Sequence, residues 1–285
     1  MKGFYLLGDM GSGNNDQKKV ANSLTEHIHK MNDKRTFICG LGDNIYEAGC
    51  TSINDRQFIK KFEEPYIDID DNIKFYMCLG NHDYGDDFFD KKGNSLNQIE
   101  YGKLSQKKGG KWYMPSNYYM FNKGNISFFV LDTNLKNQTK QEIEEQLNYF
   151  IDKIKTSNNK WKILIGHHTM RSVGGHGNAD KDMEEFFHKL LKECSFDIYI
   201  CGHDHNKQVI NTSINNKDIT LMVCGTGGKY YHNETNLENL KEGELEFCST
   251  NLGYSYCVPK KNSLIFYFFD ELNNLEYKYP LKKKI

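Results

Sequence analysis

Five short apolar runs in this chain end alike, in a glycine followed at once by residues that can bind a metal. Phe4–Leu7 runs into Gly8-Asp9-Met10-Gly11, Thr36–Leu41 into Gly42-Asp43-Asn44-Ile45-Tyr46, and Lys74–Leu79 into Gly80-Asn81-His82-Asp83. Trp161–Ile165 runs into Gly166-His167-His168, and Ile198–Cys201 into Gly202-His203-Asp204-His205. Runs that are apolar throughout, rather than alternately, suit strands covered on both faces. Ligands of an open α/β sheet gather at strand carboxyl ends, and a glycine there lets the backbone turn and approach closely. One Gly-Asp is an ordinary turn, and one histidine at a strand end is an ordinary polar residue. Five such ends together point to one shared site. The side chains offered are Asp, Asn, His and Tyr without Cys, a set that suits iron, zinc or manganese.

Helical patterns lie between the runs. Val20, Leu24 and Ile28 recur four apart, Ile143, Leu147, Phe150, Ile151 and Ile154 trace one face, and Met183, Phe186, Phe187, Leu190 and Leu191 trace another. Thr139 and Glu142 form a capping-box pattern ahead of the second. Further strands are predicted at Ile126–Leu131, Ile219–Cys224 and Leu264–Phe269, with mostly strands and turns beyond Lys207. The stretch Gly85–Tyr119 has few periodic apolar positions and reads as a long surface excursion at the substrate rim. No linker divides the 285 residues, so residues 1–285 are expected to form one α/β domain with mixed sheets.

A net charge of -1 calls for neither nucleic acid nor a membrane surface, and the Lys282–Lys284 run reads as a solvated tail. No apolar run is long enough to span a bilayer. The first apolar run reaches Asp9 too soon to be a secretory signal. The eight cysteines include no CxxC pair and read as buried free thiols. Together these favour a reducing, cytoplasmic location, where a sequon such as Asn211-Thr212-Ser213 carries little weight.

The pattern GD, GD, GNH, GH and GHxH resembles the calcineurin-like metallophosphoesterase superfamily. Within it the chain is similar to the purple acid phosphatases, especially the small tartrate-resistant type, because Tyr46 follows Gly42-Asp43 at the spacing of that group. Similarity continues through Ile53–Phe58, Trp112–Tyr119, Val130-Leu131-Asp132-Thr133 and Cys201–Asn206, and covers the chain to about Phe269. The resemblance implies a four-layer α/β/β/α sandwich, two mixed sheets flanked by helices. It implies Fe(III) on Asp9, Tyr46 and His205, a second divalent ion (Fe, Zn or Mn) on Asn81, His167 and His203, and Asp43 bridging the two. It further implies hydrolysis of phosphate monoesters, small or peptide-borne, by metal-bound hydroxide in a monomeric acid phosphatase. His82 and His176 would bind the phosphate and protonate the leaving alkoxide.

A Mn- or Zn-dependent diesterase or nucleotide hydrolase of the same superfamily is the alternative, and an inert scaffold is a third reading. Leu164-Ile165-Gly166-His167 fits the family register, which leaves His168 as a neighbour either behind the ligands or at the cleft rim. Asp83, Asp204 and Asn206 are expected to support the site by hydrogen bonding. His27 and His29 are expected to be solvated, and His188 and His232 have no motif around them. The chain is expected to differ from the secreted animal members in having no signal and no counterparts of their disulfide cysteines, and in its short loop Asn134–Gln138.

Overall fold

The apolar strands are apolar throughout because alternate residues enter different cores. In β1 (Phe4–Leu7), Phe4 and Leu6 face one core while Tyr5 and Leu7 face another. The computed structural model describes residues 2–85, 92–230 and 235–283. Its first sheet runs, in spatial order, β14 (Leu275–Lys282), β13 (Ser263–Asp270), β12 (Gly253–Pro259), β1, β2 (Ile38–Gly40), β3 (Phe75–Met77) and β4 (Trp112–Tyr113). The second runs β11 (Leu245–Ser249), β9 (Lys207–Ile214), β10 (Lys217–Cys224), β8 (Ile198–Cys201), β7 (Trp161–Ile165), β6 (Ile126–Val130) and β5 (Tyr119–Lys123). β1 to β4 are parallel, as are β6, β7, β8 and β10, and the outer strands are antiparallel, so both sheets are mixed.

Three cores follow from this stacking. Phe4, Leu6, Phe128, Ile163 and Ile200 fill the space between the sheets. Tyr5 and Leu7 share a core with Val20, Leu24 and Ile28 of the helix Asn15–Met31, and the same core holds Phe75 and Trp112. Phe129, Leu164 and Tyr199 pack against the helices Lys140–Thr156 and Lys181–Glu193. The layers are therefore α/β/β/α, as the resemblance implies. Each helix start is capped: Asn14, Thr139 and Asp180 accept backbone N–H bonds, and Thr139 with Glu142 completes the predicted capping box. Such caps contribute about 1 kcal/mol each.

Register brings the strand ends together. Leu7, Gly40 and Met77 lie side by side across β1, β2 and β3, and Asp9, Asp43 and Asn81 follow a few residues on. Ile165 and Ile200 are neighbours across β7 and β8, and His167 and His203 follow them.

Three expectations are corrected. The stretch from Gly85 to Tyr119 is no structureless excursion: it contains the helix Lys92–Lys107 and the edge strand β4, although residues 86–91 lie outside the described residues. Periodicity hid the helix because its buried face is largely polar, with Asn94, Ser95 and Gln98 beside Ile99. His27 is not solvated but half-buried among Tyr5, Tyr254, Tyr256 and Phe269, whereas His29 is exposed as expected. Lys283 does not belong to a free tail, since it pairs with Asp197 at 2.7 Å and lies over the Trp161 ring. Lys284 and His232 lie outside the described residues. Seven cysteines are buried, Cys248 is half-buried, and all are free thiols.

Candidate metal centre

The strand-end side chains converge as two clusters of donor atoms. In the first, the Tyr46 hydroxyl lies 3.1 Å from Asp9 Oδ1 and 3.1 Å from His205 Nε2, and the last two are 3.4 Å apart. In the second, Asn81 Oδ1 lies 3.0 Å from His167 Nε2 and 3.1 Å from His203 Nδ1, with 3.2 Å between the two rings. Asp43 Oδ1 stands 3.4 Å from His167 Nε2, and Asp43 also groups with Asp9 and His205 with ligand atoms within 4.8 Å of one another. It is thus common to both clusters. All seven predicted metal ligands are brought together.

The donor set fits metal ions. Donors about 2.0–2.2 Å from an ion stand roughly 3.0–3.5 Å from one another, the spacing observed. His167 Nδ1 donates to the Leu41 carbonyl at 2.8 Å, so Nε2 is the ring nitrogen turned toward Asn81 Oδ1 and Asp43 Oδ1. Asp9 and Asp43 are buried at 0% and 1% exposure and, among the described residues, pair with no lysine or arginine. Buried carboxylates gathered with imidazole, amide and phenol donors form a setting that a bound cation would stabilise.

Electrostatics agree. Burial, then the Asp43 and Asp9 carboxylates, push the Tyr46 phenol well above its usual range. Burial would raise the Asp43 carboxyl too, but the His167 and His82 imidazoles outweigh it and hold the group below the usual carboxylate range. Burial, then the surrounding histidines, keep His203 neutral, as a ligand must be.

Backbone strain is concentrated here. Asp9, Asp43 and His203 all have left-handed backbones, with φ of 57°, 51° and 72°; such conformations cost about 1 kcal/mol or more each and cluster at functional sites. The strand-end glycines allow the crowding. A Cβ on Gly80 would stand 2.1 Å from Asp43 Oδ1, and one on Gly42, itself at φ 88°, would stand 2.4 Å from His167 Nδ1.

A family model for calcineurin-like phosphoesterases matches residues 3–207, the segment that carries every predicted site residue. The chain belongs to that family. Purple acid phosphatase 17 of Arabidopsis thaliana is 25% identical over 300 residues, covering 99% of this chain and 85% of the relative. Tartrate-resistant acid phosphatase type 5 of Sus scrofa is 26% identical over 294 residues, covering 92% and 82%. Among solved structures, GAP50, titled the anchor in the inner membrane complex of Plasmodium, superposes with a TM-score of 0.81 at 22% identity, over 99% of this chain and 89% of that one.

In this phosphoesterase the two predicted catalytic histidines flank the opening. His82 Nδ1 donates to the Glu47 carbonyl at 2.6 Å, and its ring packs 4.5 Å from that of Tyr46. His176 is exposed, its ring stacked 4.0 Å from that of His203 and its backbone N–H held by Asp204 at 2.8 Å. Two adjoining cavities of about 290 and 460 Å³ open beside them, and Asn81, His82, His176 and His203 line both. The three supporting residues also hydrogen-bond around the site. Asp83 accepts from the backbone of Asn44, Ile45 and Gly80, and Asp204 accepts from Ser172 and His176. Asn206 accepts from Gln208 at 2.7 Å.

Sequence reasoning missed Gln98, which reaches Asp83 at 2.7 Å, and Ser172 with Gln208, which hold the loop of His176. It also missed Lys229, whose ammonium lies 4.7 Å over the Tyr46 ring and pairs with Glu47. Single amides, hydroxyls and lysines outside motifs carry no local signal of such roles. No helix among the described residues is long and apolar enough to cross a membrane.

Proposed function

We propose that the protein is an acid phosphatase of the purple type, hydrolysing phosphate monoesters at an Fe(III)–M(II) centre. Fold alone does not carry this reading, since the similar GAP50 fold is titled an anchor. What carries it is the Tyr46 hydroxyl among Asp9, Asp43 and His205 in a buried pocket. A phenol whose proton is held so firmly becomes a ligand only to a strongly acidic cation, and two carboxylates supply the hard anionic donors that favour Fe(III). Asn81, His167 and His203 would offer neutral donors, which suit a divalent ion, and Asp43, near both clusters, would be shared by the two ions. Two such ions bind a phosphate oxygen and lower the pKa of an attacking water.

The remaining work falls to side chains. His82, with Nδ1–H committed to the Glu47 carbonyl, presents its other ring edge and suits the phosphate. His176, exposed at the mouth, can exchange protons with solvent and suits protonation of the leaving oxygen, a role worth typically about 10²–10⁴-fold.

The test is the visible spectrum of aerobically purified protein, taken with its iron content. A broad visible band with at least one iron per chain is expected. A colourless protein carrying zinc or manganese would overturn the iron assignment. Faster hydrolysis of a bis-aryl phosphate than of an aryl phosphate would overturn the monoesterase assignment.

A further inference from the structure

His168 lines the larger cavity beside Asn81, His82, His176 and His203 but belongs to neither donor cluster. Its surroundings fix where its proton sits. Thr133 Oγ1 accepts the backbone N–H of His167 at 3.2 Å and that of His168 at 3.1 Å. A hydroxyl has two acceptor lone pairs and one hydrogen. With both lone pairs engaged, the hydrogen goes to the remaining neighbour, His168 Nδ1, at 2.8 Å. Nδ1 therefore accepts, and the ring hydrogen is on Nε2, the edge turned away from Thr133.

The ring is also fixed in place. Tyr199 donates its hydroxyl hydrogen to the His168 carbonyl at 2.6 Å, and the imidazole packs against the rings of His203 at 4.6 Å and His167 at 5.2 Å. The residue is half-exposed, and its exposed part is in the cavity. The result is a held N–H donor beside the metal centre.

We propose that His168 is a substrate-binding residue whose Nε2–H hydrogen-bonds a peripheral oxygen of the bound phosphate group. This presupposes the phosphatase function proposed above. The donor is neutral, so it adds no repulsion against neighbouring cations, and Thr133 rather than solvent sets its tautomer.

His168→Phe tests this, because it keeps a ring against His203 and removes the donor. Affinity for inorganic phosphate is measured by calorimetry on the metal-loaded protein, together with metal content and kcat/KM for an aryl phosphate. The expected result is full metal content, phosphate binding weakened roughly tenfold to a hundredfold, and kcat/KM lowered by a similar factor. His168→Gln, whose amide can donate from a similar position, is expected to recover part of both losses. A fully metallated His168→Phe protein that binds phosphate within about twofold of the parent overturns the proposal. Loss of metal overturns it as well, since the residue would then serve to hold His203. If the parent protein hydrolyses no phosphomonoester, the phosphatase reading falls, and the calorimetry still decides the role of His168.

Discussion

The Tyr46 hydroxyl lies 3.1 Å from Asp9 Oδ1 in a place where neither residue is more than 1% exposed. Without a cation, the phenol keeps its proton and donates it to the carboxylate. At the iron centre proposed above, both oxygens would be ligands. Tyr46→Phe should therefore abolish the visible band and lower iron content, because the hydroxyl is the only group removed. Its ring would remain packed near His82 and under Lys229, so the metal-free stability should fall by only about 1 kcal/mol. Absorption spectra, iron analysis and urea unfolding of the variant read these outcomes, and a variant that kept the colour would remove Tyr46 from the iron.

Asp83 ties together the two loops that carry the candidate ligands Asp43, Tyr46 and Asn81. It accepts from Asn44 N at 3.0 Å, Ile45 N at 3.1 Å, Gly80 N at 2.8 Å, Asn44 Nδ2 at 3.0 Å and Gln98 Nε2 at 2.7 Å. Asp83→Asn would turn an amide NH₂ toward donors and leave buried N–H groups without acceptors. A loss of about 2–4 kcal/mol is expected, with weaker retention of metal on Asp43, Tyr46 and Asn81. Denaturant midpoints and metal content after dialysis against a chelator measure both.

Much of this site was legible because its strand ends are written locally, as glycine followed by ligand. The helices that could be read, such as Lys140–Thr156, bury an apolar stripe and open with a capping box. The helix Lys92–Lys107 could not be read, because its buried residues Asn94, Ser95 and Gln98 satisfy polar groups of other loops. Only tertiary structure explains their polarity. Thr133 is silent for the same reason: its effect on His168 depends on three hydrogen bonds that close only when β6 and β7 lie side by side. His27 was misread because its helix is polar by composition, while the aromatic cover comes from β1, β12 and β13.

That cover gives a pH dependence. Burial, then the Lys30 charge, push the His27 imidazole down to about 4 from 6.5, while Tyr5 meets its Nδ1 at 3.1 Å. The folded protein holds this ring neutral, so between those pH values the unfolded chain binds more protons. The resulting stability is complete above the unfolded value and is lost as pH falls from about 6.5 toward 4. Allowing for solvent that still reaches the ring, the loss is about 1–2 kcal/mol. His27→Phe should lose less stability over that interval than the parent. Urea midpoints at both ends give the difference, and identical slopes for the two proteins would show that His27 does not titrate on unfolding.

Lys207 should prove the most sensitive point between the two sheets. It begins β9 in the second sheet with 0% exposure, pairs with Glu276 of β14, and donates to the Phe269 carbonyl of β13 at 3.0 Å and the Leu252 carbonyl at 3.3 Å. Its three partners lie on or beside the first sheet, so one ammonium holds both sheets at the strand following His205. Lys207→Met keeps the stem volume but leaves the Glu276 carboxylate, which also accepts from Ser249 at 2.6 Å and Asn251 at 2.8 Å, without its cation. Removing one partner of a buried pair costs about 3–5 kcal/mol, whereas replacing both can be nearly neutral. The double variant Lys207→Met with Glu276→Gln should therefore recover a large part of the loss. A double-mutant cycle read by urea unfolding separates the two cases: strong coupling is expected, and additive losses would assign the role of Lys207 to its carbonyl contacts rather than to the ion pair.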